Sequence, residues 1–120
     1  MALDEADHRL FVACRKPAEI IVFDTNSGKV LERVPTVGDA DDLWYYAVRK
    51  VMYVSGGEGS IGVIRQMDAS HYRAQAKIPT AVGARTSFFV PELSSLCLAV
   101  PHRGPQHAEL RIFQSEQAPQ

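Results

Sequence analysis

Apolar residues occur along this chain in short runs, and the lengths of these runs predict strands rather than helices. Five runs are continuous, at residues 10–14, 20–23, 51–54, 87–90 and 96–100. Short continuous runs rich in β-branched and aromatic side chains are typical of strands buried on both faces. Residues 30–34 and 74–78 instead mix apolar and polar side chains, which is typical of half-exposed strands.

Turn-forming residues separate these runs. Residues 24–29 carry Asp-Thr-Asn-Ser-Gly-Lys, and Gly28 there can take the positive φ that a hairpin turn requires. Gly-Gly-Glu-Gly at 56–59 and His-Arg-Gly-Pro at 102–105 form two further breaks. Short strands joined by such turns predict an all-β antiparallel meander.

The chain also contains a repeated pattern. Three apolar segments align with one another, at residues 9–14, 50–55 and 95–100. In this alignment Leu10, Val51 and Leu96 are equivalent, and a second apolar strand follows each segment. A four-stranded unit of about 40–45 residues is the period of a β-propeller blade.

The repeat therefore predicts an all-β fold, a partial β-propeller of about three four-stranded antiparallel blades. The blades are expected at about residues 1–38, 41–83 and 85–113, and the last is expected to lack its outer strand. Residues 114–120 are polar and are expected to form a frayed tail.

Composition narrows the possible partners. Thirteen basic and 14 acidic residues give a net charge of −1, which argues against a nucleic-acid partner held by charge. No apolar run approaches the roughly 18 residues of a membrane span, and residues 1–10 lack the order of a signal peptide. The sequence does not determine the cellular compartment, because a parent protein could be periplasmic or secreted. Cys14 and Cys97 are expected to act as small buried hydrophobes.

The repeat resembles the YVTN-type (YncE-like) β-propeller family. Tyr53-Val54 matches the strand ending, residues 22–25 with 28–30 match the Asp-Thr-x-x-Gly-Lys-Val element, and residues 35–38 match the Pro-x-Gly element. The second unit departs from this pattern with a longer stretch at 66–72, and the third unit lacks the turn. The resemblance implies a propeller but no single reaction, because the family includes extracytoplasmic binding proteins and relatives of quinoprotein dehydrogenase subunits.

Three blades cannot close a ring, since closed propellers typically have four to eight. The first and last blades are therefore expected to expose apolar faces. Three explanations stay open: the faces are covered by missing blades of a longer chain, by self-association or another half, or they persist in an open array.

Propeller geometry sorts the loops onto two ends of the blades, and the end nearest the central channel is the expected ligand surface. We call seven polar residues on that end the candidate loop surface: Asp39, Asp41, Asp42, Glu58, Arg85, His102 and Arg103.

The chemistry of this surface leaves alternatives open. The three aspartates of residues 38–42 could hold a hard cation or form a solvated turn. Arg85 and Arg103 could bind a carboxylate or phosphate, or pair with the loop aspartates. His102 and His107 could form a metal pair, but no third ligand is defined by the sequence.

The function expected from the sequence is a non-catalytic binding or scaffold module that presents loops to a protein or a small ligand. The alternative is a fragment of a propeller enzyme, either a metal-dependent hydrolase or a quinoprotein-type dehydrogenase. No catalytic residue, metal ligand or cofactor is assigned from the sequence.

Overall fold

The computed structural model describes residues 1–115, which form strands and one short 3-10 turn. The strands are β1 (Ala2–Asp4), β2 (Arg9–Arg15), β3 (Ala18–Asp24), β4 (Val30–Pro35), β5 (Ala40–Tyr46), β6 (Val51–Gly56), β7 (Ser60–Asp68), β8 (His71–Pro79), β9 (Thr86–Val90), β10 (Ser95–Val100) and β11 (Glu109–Gln114). The 3-10 turn is Pro91–Leu93, between β9 and β10. Within this part of the chain, no helix is long and apolar enough to cross a membrane.

The strands form three antiparallel sheets in which chain neighbours pair. Sheet 1 has the order β1-β2-β3-β4, sheet 2 the order β5-β6-β7-β8, and sheet 3 the order β9-β10-β11. The predicted all-β class is therefore confirmed. Turn chemistry sets the hairpins: Gly28 has a φ of 75° and donates its N–H to the Asp24 carbonyl, so only a residue tolerant of the left-handed region fits there.

The hydrophobic core lies in two layers between the sheets. The first layer joins sheets 1 and 2, with Phe11, Ile20, Met52 and Ile64 almost fully buried. The second layer joins sheets 2 and 3 and consists mainly of Tyr46, Val51, Ile61, Phe89, Leu96 and Leu98. Sheet 2 is thus packed on both faces, which explains the continuous apolar run at residues 51–54 in β6. Among the described residues, sheets 1 and 3 are each packed on one face only, so the expectation that the apolar runs at 10–14, 20–23, 87–90 and 96–100 are buried on both faces is wrong.

We call the face of sheet 1 toward sheet 2, and of sheet 2 toward sheet 3, the forward face, and the opposite face of each sheet the backward face. The forward face of sheet 3 is the face that points away from sheet 2. Phe11 and Ala13 lie on the forward face of sheet 1 and contact the layer shared with sheet 2. On sheet 2, Tyr53 lies on the forward face, while Met52 and Val54 lie on the backward face. Alternation along each strand produces this division.

The hairpin register corrects the sequence alignment of the repeats by one residue. The pairs that close the first hairpin of each sheet are Asp4–Arg9, Tyr46–Val51 and Val90–Ser95. Leu10 is therefore equivalent to Met52, and the expected equivalence with Val51 is wrong. A one-residue slip moves every side chain to the other face, so the slip matters for packing. Val51 indeed packs on the side of sheet 3, whereas Met52 packs on the side of sheet 1.

Other expectations also change. The longer connection expected at residues 66–72 is a tight turn, because β7 continues to Asp68 and β8 starts at His71. Gln114 ends β11, and the Ser115 N–H donates to the Ser94 carbonyl at 2.7 Å, so these two residues do not fray. The rest of the expected tail, 116–120, lies outside the described residues.

The two cysteines are not fully buried. Both are free thiols of intermediate exposure. Cys14 alternates with the forward-facing Ala13 and so lies on the backward face of sheet 1. Cys97 pairs directly with Phe88 and Ile112, two residues that are 60% exposed, on the forward face of sheet 3. Their expected burial is therefore only partial, because no described sheet covers these two faces.

Candidate functional site

Backbone hydrogen bonds bring three connections of the candidate loop surface together. The Gly57 N–H, in the β6–β7 turn, donates to the Asp39 carbonyl at 2.9 Å. The Gly83 N–H, between β8 and β9, donates to the Gly57 carbonyl at 2.8 Å. The connection before β5, the turn of sheet 2 and the connection to sheet 3 therefore form one continuous strip of backbone.

Asp39 and Arg85 form the centre of this strip. The Nε and Nη2 atoms of Arg85 donate to Oδ2 of Asp39 at 2.9 and 2.6 Å, and Nε of Arg15 lies 3.5 Å from Oδ1. A Cβ at Gly57 would collide with the Asp39 carboxylate and would lie 2.8 Å from the Arg85 nitrogens. Glycine at position 57 is thus what allows the carboxylate and guanidinium to meet over the turn. The sequence alternative that Arg85 pairs with a loop aspartate is the one observed.

The hydrogen bonds from Arg85 lower the pKa of the Asp39 carboxyl, against a smaller opposing effect of desolvation. The positive charge of Arg85 and, to a smaller extent, that of Arg15 also lower the Asp39 pKa. The ionised carboxylate is therefore favoured in the folded state more than in the unfolded chain.

Replacing Asp39 with asparagine is expected to lower the free energy of unfolding at neutral pH. This loss is expected to become smaller as the pH falls into the acid range. The folded-state pKa lies below the ordinary value of 3.8, so the contribution is complete above that value and is lost as the pH falls through the folded-state pKa. Urea unfolding of the wild type and the Asp39→Asn variant from pH 7 down to pH 3 measures this difference. The same substitution in an Arg85→Gln background should show little pH dependence. A difference between wild type and variant that is independent of pH would contradict the assignment.

Asp41 and Asp42 lie in β5 rather than in a loop, which corrects the expectation for residues 38–42. The pairing of β5 with β6 is irregular between Ala40 and Asp42, so the strand starts earlier than its apolar run. Oδ1 of Asp41 lies 3.7 Å from Nη2 of Arg15, and Oδ2 of Asp42 accepts the Ser87 N–H at 2.8 Å. Asp39 and Asp41 therefore share Arg15, Asp39 also binds Arg85, and Asp42 binds the backbone of β9 instead.

Glu58 is held at the tip of the β6–β7 turn. Oε1 accepts hydrogen bonds from Nζ of Lys77 at 2.6 Å and from Oγ of Ser60 at 2.9 Å. The Lys77 contact is the main cause of a lowered Glu58 pKa. Glu58 thus binds side chains of β7 and β8 and also approaches Gly38, rather than binding Arg85.

Arg103 and His102 lie in the β10–β11 loop, where the sequence predicts them. A reciprocal pair of backbone hydrogen bonds joins Arg103 to Gln106, and Nε2 of Gln106 donates to the Pro101 and Val82 carbonyls at 2.8 and 3.1 Å. The Arg103 side chain lies over Gly83, where a Cβ would approach its Nη1 to 2.9 Å. Gly83 has a φ of 84°, so the residue permits both the backbone conformation and the close approach.

Arg85 and Arg103 border one open depression of about 400 Å³, lined also by Gly83, Thr86 and Pro101. Ion pairs within residues 1–115 involve Arg15 and Arg85, but none of them involves Arg103. The depression therefore presents one arginine already bound to Asp39 and a second whose guanidinium is available to an anion.

The metal alternatives receive no supporting geometry. Among the described residues, no group of three or more His, Cys, Asp or Glu side chains is arranged to hold a metal ion. Nδ1 of His102 lies 3.1 Å from the Gln106 carbonyl, so this histidine is engaged within its own loop.

A buried polar cluster between sheets 1 and 2 has no counterpart in the sequence analysis. Gln66 donates from Nε2 to Oδ2 of Asp4 at 2.9 Å and to the Tyr72 hydroxyl at 3.1 Å, and its Oε1 accepts the Tyr45 hydroxyl at 2.6 Å. Asp4 and Gln66 are each only 3% exposed. Burial, followed by the nearby Asp4 charge, raises the pKa of Tyr45. The sequence pattern missed this cluster because it predicts a loop at residues 66–72, and Gln66 has a buried partner only if β7 extends that far.

Comparison with known proteins adds no identification. No protein-family model matches the chain, and no curated protein is significantly similar to it.

Proposed function

We propose that this chain is a non-catalytic binding module, built as part of a YVTN-type β-propeller, whose candidate loop surface takes an anionic group of a small ligand or protein. The architectural support is the stacking of three antiparallel sheets, each in simple chain order, with the same forward and backward division. Stacked meander sheets of this kind are the unit of a propeller.

The turn at residues 24–29 supports the YVTN-type assignment. The Asp24 carboxylate accepts the Asn26 N–H and the Ser27 hydroxyl, both at 3.0 Å, and the Gly28 N–H closes the turn on the Asp24 carbonyl at 2.8 Å. The Asn26 hydrogen bond is the main cause of a lowered Asp24 pKa. The Asp and Gly of the Asp-Thr-x-x-Gly-Lys-Val element thus each have a structural role here, as expected of a repeat signature.

The observation that carries the ligand proposal is the depression beside Arg103. A guanidinium recognises carboxylate and phosphate oxygens through paired N–H donors. The Arg103 side chain extends over Gly83, where the absence of a Cβ leaves room for it at the border of the depression. Arg85 also borders the depression, but its charge is paired with Asp39, so Arg103 is the arginine offered to the anion.

The enzyme alternative gains no comparable support. Asp39, Asp41 and Glu58 are paired with cationic side chains, and Asp42 accepts a backbone N–H. Pairing with cationic side chains lowers the pKa of the Asp39 and Glu58 carboxyls, which makes these two weaker general bases.

Titration with inorganic phosphate and, separately, with succinate tests the binding proposal. Saturable NMR shift changes are expected at the Gly83 and Arg103 amides and at the Arg103 Nε–H. An Arg103→Gln variant should bind at least about tenfold more weakly, because it loses a charge-assisted hydrogen bond.

Arg73→Gln is the matched control, because Arg73 is an exposed arginine of β8 outside the depression. This variant has the same change of charge and should bind like the wild type. Equal weakening by both substitutions would mean that only net charge is sensed, and absence of saturable shifts with both anions would refute the proposed ligand class.

A further inference from the structure

The two terminal sheets expose apolar faces that point in opposite directions along the stack. The forward face of sheet 3 carries Phe88, Leu110 and Ile112, which are 60%, 64% and 60% exposed. The backward face of sheet 1 carries Leu3, which is 50% exposed, together with the half-buried Leu10 and Phe23 paired in register with it. Contiguous apolar faces of this kind mark interaction surfaces.

The two internal interfaces show what each face accepts. Between sheets 1 and 2, Phe11 packs on Tyr45 with ring centroids 5.2 Å apart. Between sheets 2 and 3, Tyr53 packs on Phe89 with centroids 5.4 Å apart. The hairpin register makes Phe11 and Tyr53 equivalent, and likewise Tyr45 and Phe89. Both interfaces therefore use the same positions of a forward and a backward face.

The same positions can be identified on the two uncovered faces. On sheet 3 the equivalent of Phe11 and Tyr53 is Cys97. Each of these three residues is the third residue of the second strand of its sheet. On sheet 1 the equivalent of Tyr45 and Phe89 is Leu3, because Leu3 pairs with Leu10 as Phe89 pairs with Leu96. If sheet 3 of one copy packed on sheet 1 of another, Cys97 would face Leu3 in the way that Phe11 faces Tyr45 and Tyr53 faces Phe89.

We propose that the forward face of sheet 3 binds the backward face of sheet 1 in a second copy of this chain, so that two copies close one ring of six sheets. The proposal rests on the propeller architecture proposed above. It commits to a second copy because the chain itself carries both complementary faces, one at each end of the stack. A contact between unlike faces closes into a ring when its rotation permits, and otherwise grows into an open filament.

The proposed copy number fits the blade count of known rings. Two copies of the three described sheets make six, within the roughly four to eight blades of closed propellers. The net charge of −1 leaves little repulsion between copies.

Crosslinking tests the geometry. A Leu3→Cys variant in a Cys14→Ala background has two thiols, the introduced one at position 3 and the native one of Cys97, which face each other only across copies. Treatment with a bismaleimide whose span matches the separation of packed sheets, about 10 Å, should give a covalent dimer in high yield. Asn26→Cys in the same background is the control, because Asn26 lies in the exposed β3–β4 turn, and it should give no covalent dimer.

Light scattering on the unmodified chain tests the assembly itself. The apparent mass should equal two copies and should not rise further with concentration, because the ring is closed. Ile112→Glu should halve the mass, whereas Leu93→Glu should not, since Leu93 is equally exposed but lies in the 3-10 turn. Both substitutions replace exposed side chains, so folding is retained and circular dichroism can verify it.

A monomeric wild-type chain at high concentration would overturn the proposal and would mean that another protein or further blades cover these faces. Growth beyond two copies, or equal crosslinking of both cysteine variants, would overturn it as well. Phosphate binding in a monomeric chain would leave the binding proposal standing, so the two proposals fail separately.

Discussion

Replacing Phe11 with alanine is expected to lower the free energy of unfolding by about 3–5 kcal/mol. Phe11 is fully buried and its ring contacts Tyr45 at 5.2 Å and Tyr72 at 5.5 Å between centroids. It lies at the centre of the layer that joins sheets 1 and 2, so its removal leaves a cavity that the two stiff sheets cannot fill. Urea denaturation measures the change through a shift of the midpoint.

Phe88→Ala is the matched control for Phe11→Ala. Phe88 is 60% exposed and has an edge contact with Trp44, so about 1 kcal/mol is expected, measured at concentrations where the chain is monomeric. Similar losses for the two substitutions would mean that sheet 1 does not pack on sheet 2 through Phe11.

Replacing Gln66 with leucine is expected to cost about 3 kcal/mol, although leucine is more apolar and of similar size. The amide of Gln66 donates to Asp4 and accepts from Tyr45, and both Asp4 and Gln66 are almost fully buried. Leucine removes the Nε2 donor from the Asp4 carboxylate, which keeps the more distant Asp7 N–H at 3.4 Å, and removes the Oε1 acceptor of the Tyr45 hydroxyl.

A double-mutant cycle separates this network from ordinary packing. Asp4→Leu combined with Gln66→Leu removes the carboxylate together with its donor, so the double variant should lose less stability than the two single variants added together. Additive losses would indicate that Asp4 and Gln66 act independently, and a Gln66→Leu variant as stable as the wild type would refute the buried network.

Local patterns predicted the strands because strand formation depends on alternation and turn residues that are close in sequence. The turn at Gly28 is an example, since its positive φ is required by the few residues around it. The bounds of β5 and β7 were less predictable. Ala40 to Asp42 join β5 through an irregular pairing with β6, and Gln66 to Asp68 join β7, because both segments find hydrogen-bond partners on neighbouring strands.

The candidate loop surface was predictable only as a set of residues. The sequence places Asp39, Arg85 and Arg103 near one end of the predicted blades, and leaves open whether the arginines bind a ligand or an aspartate. The structure divides their roles: Arg85 binds Asp39 over Gly57, while Arg103 lies over Gly83. These approaches are separated by tens of residues along the chain, so no local pattern could distinguish them.

The sequence alone determined the all-β class, because this class follows from hydrophobic periodicity and turn chemistry. Tertiary structure decided the one-residue register between units, the burial of Asp4 and Gln66, and which faces of sheets 1 and 3 are left uncovered. Neighbouring residues of a strand point to opposite faces, so assigning a side chain to the core requires knowing which strands and sheets pair across the whole chain.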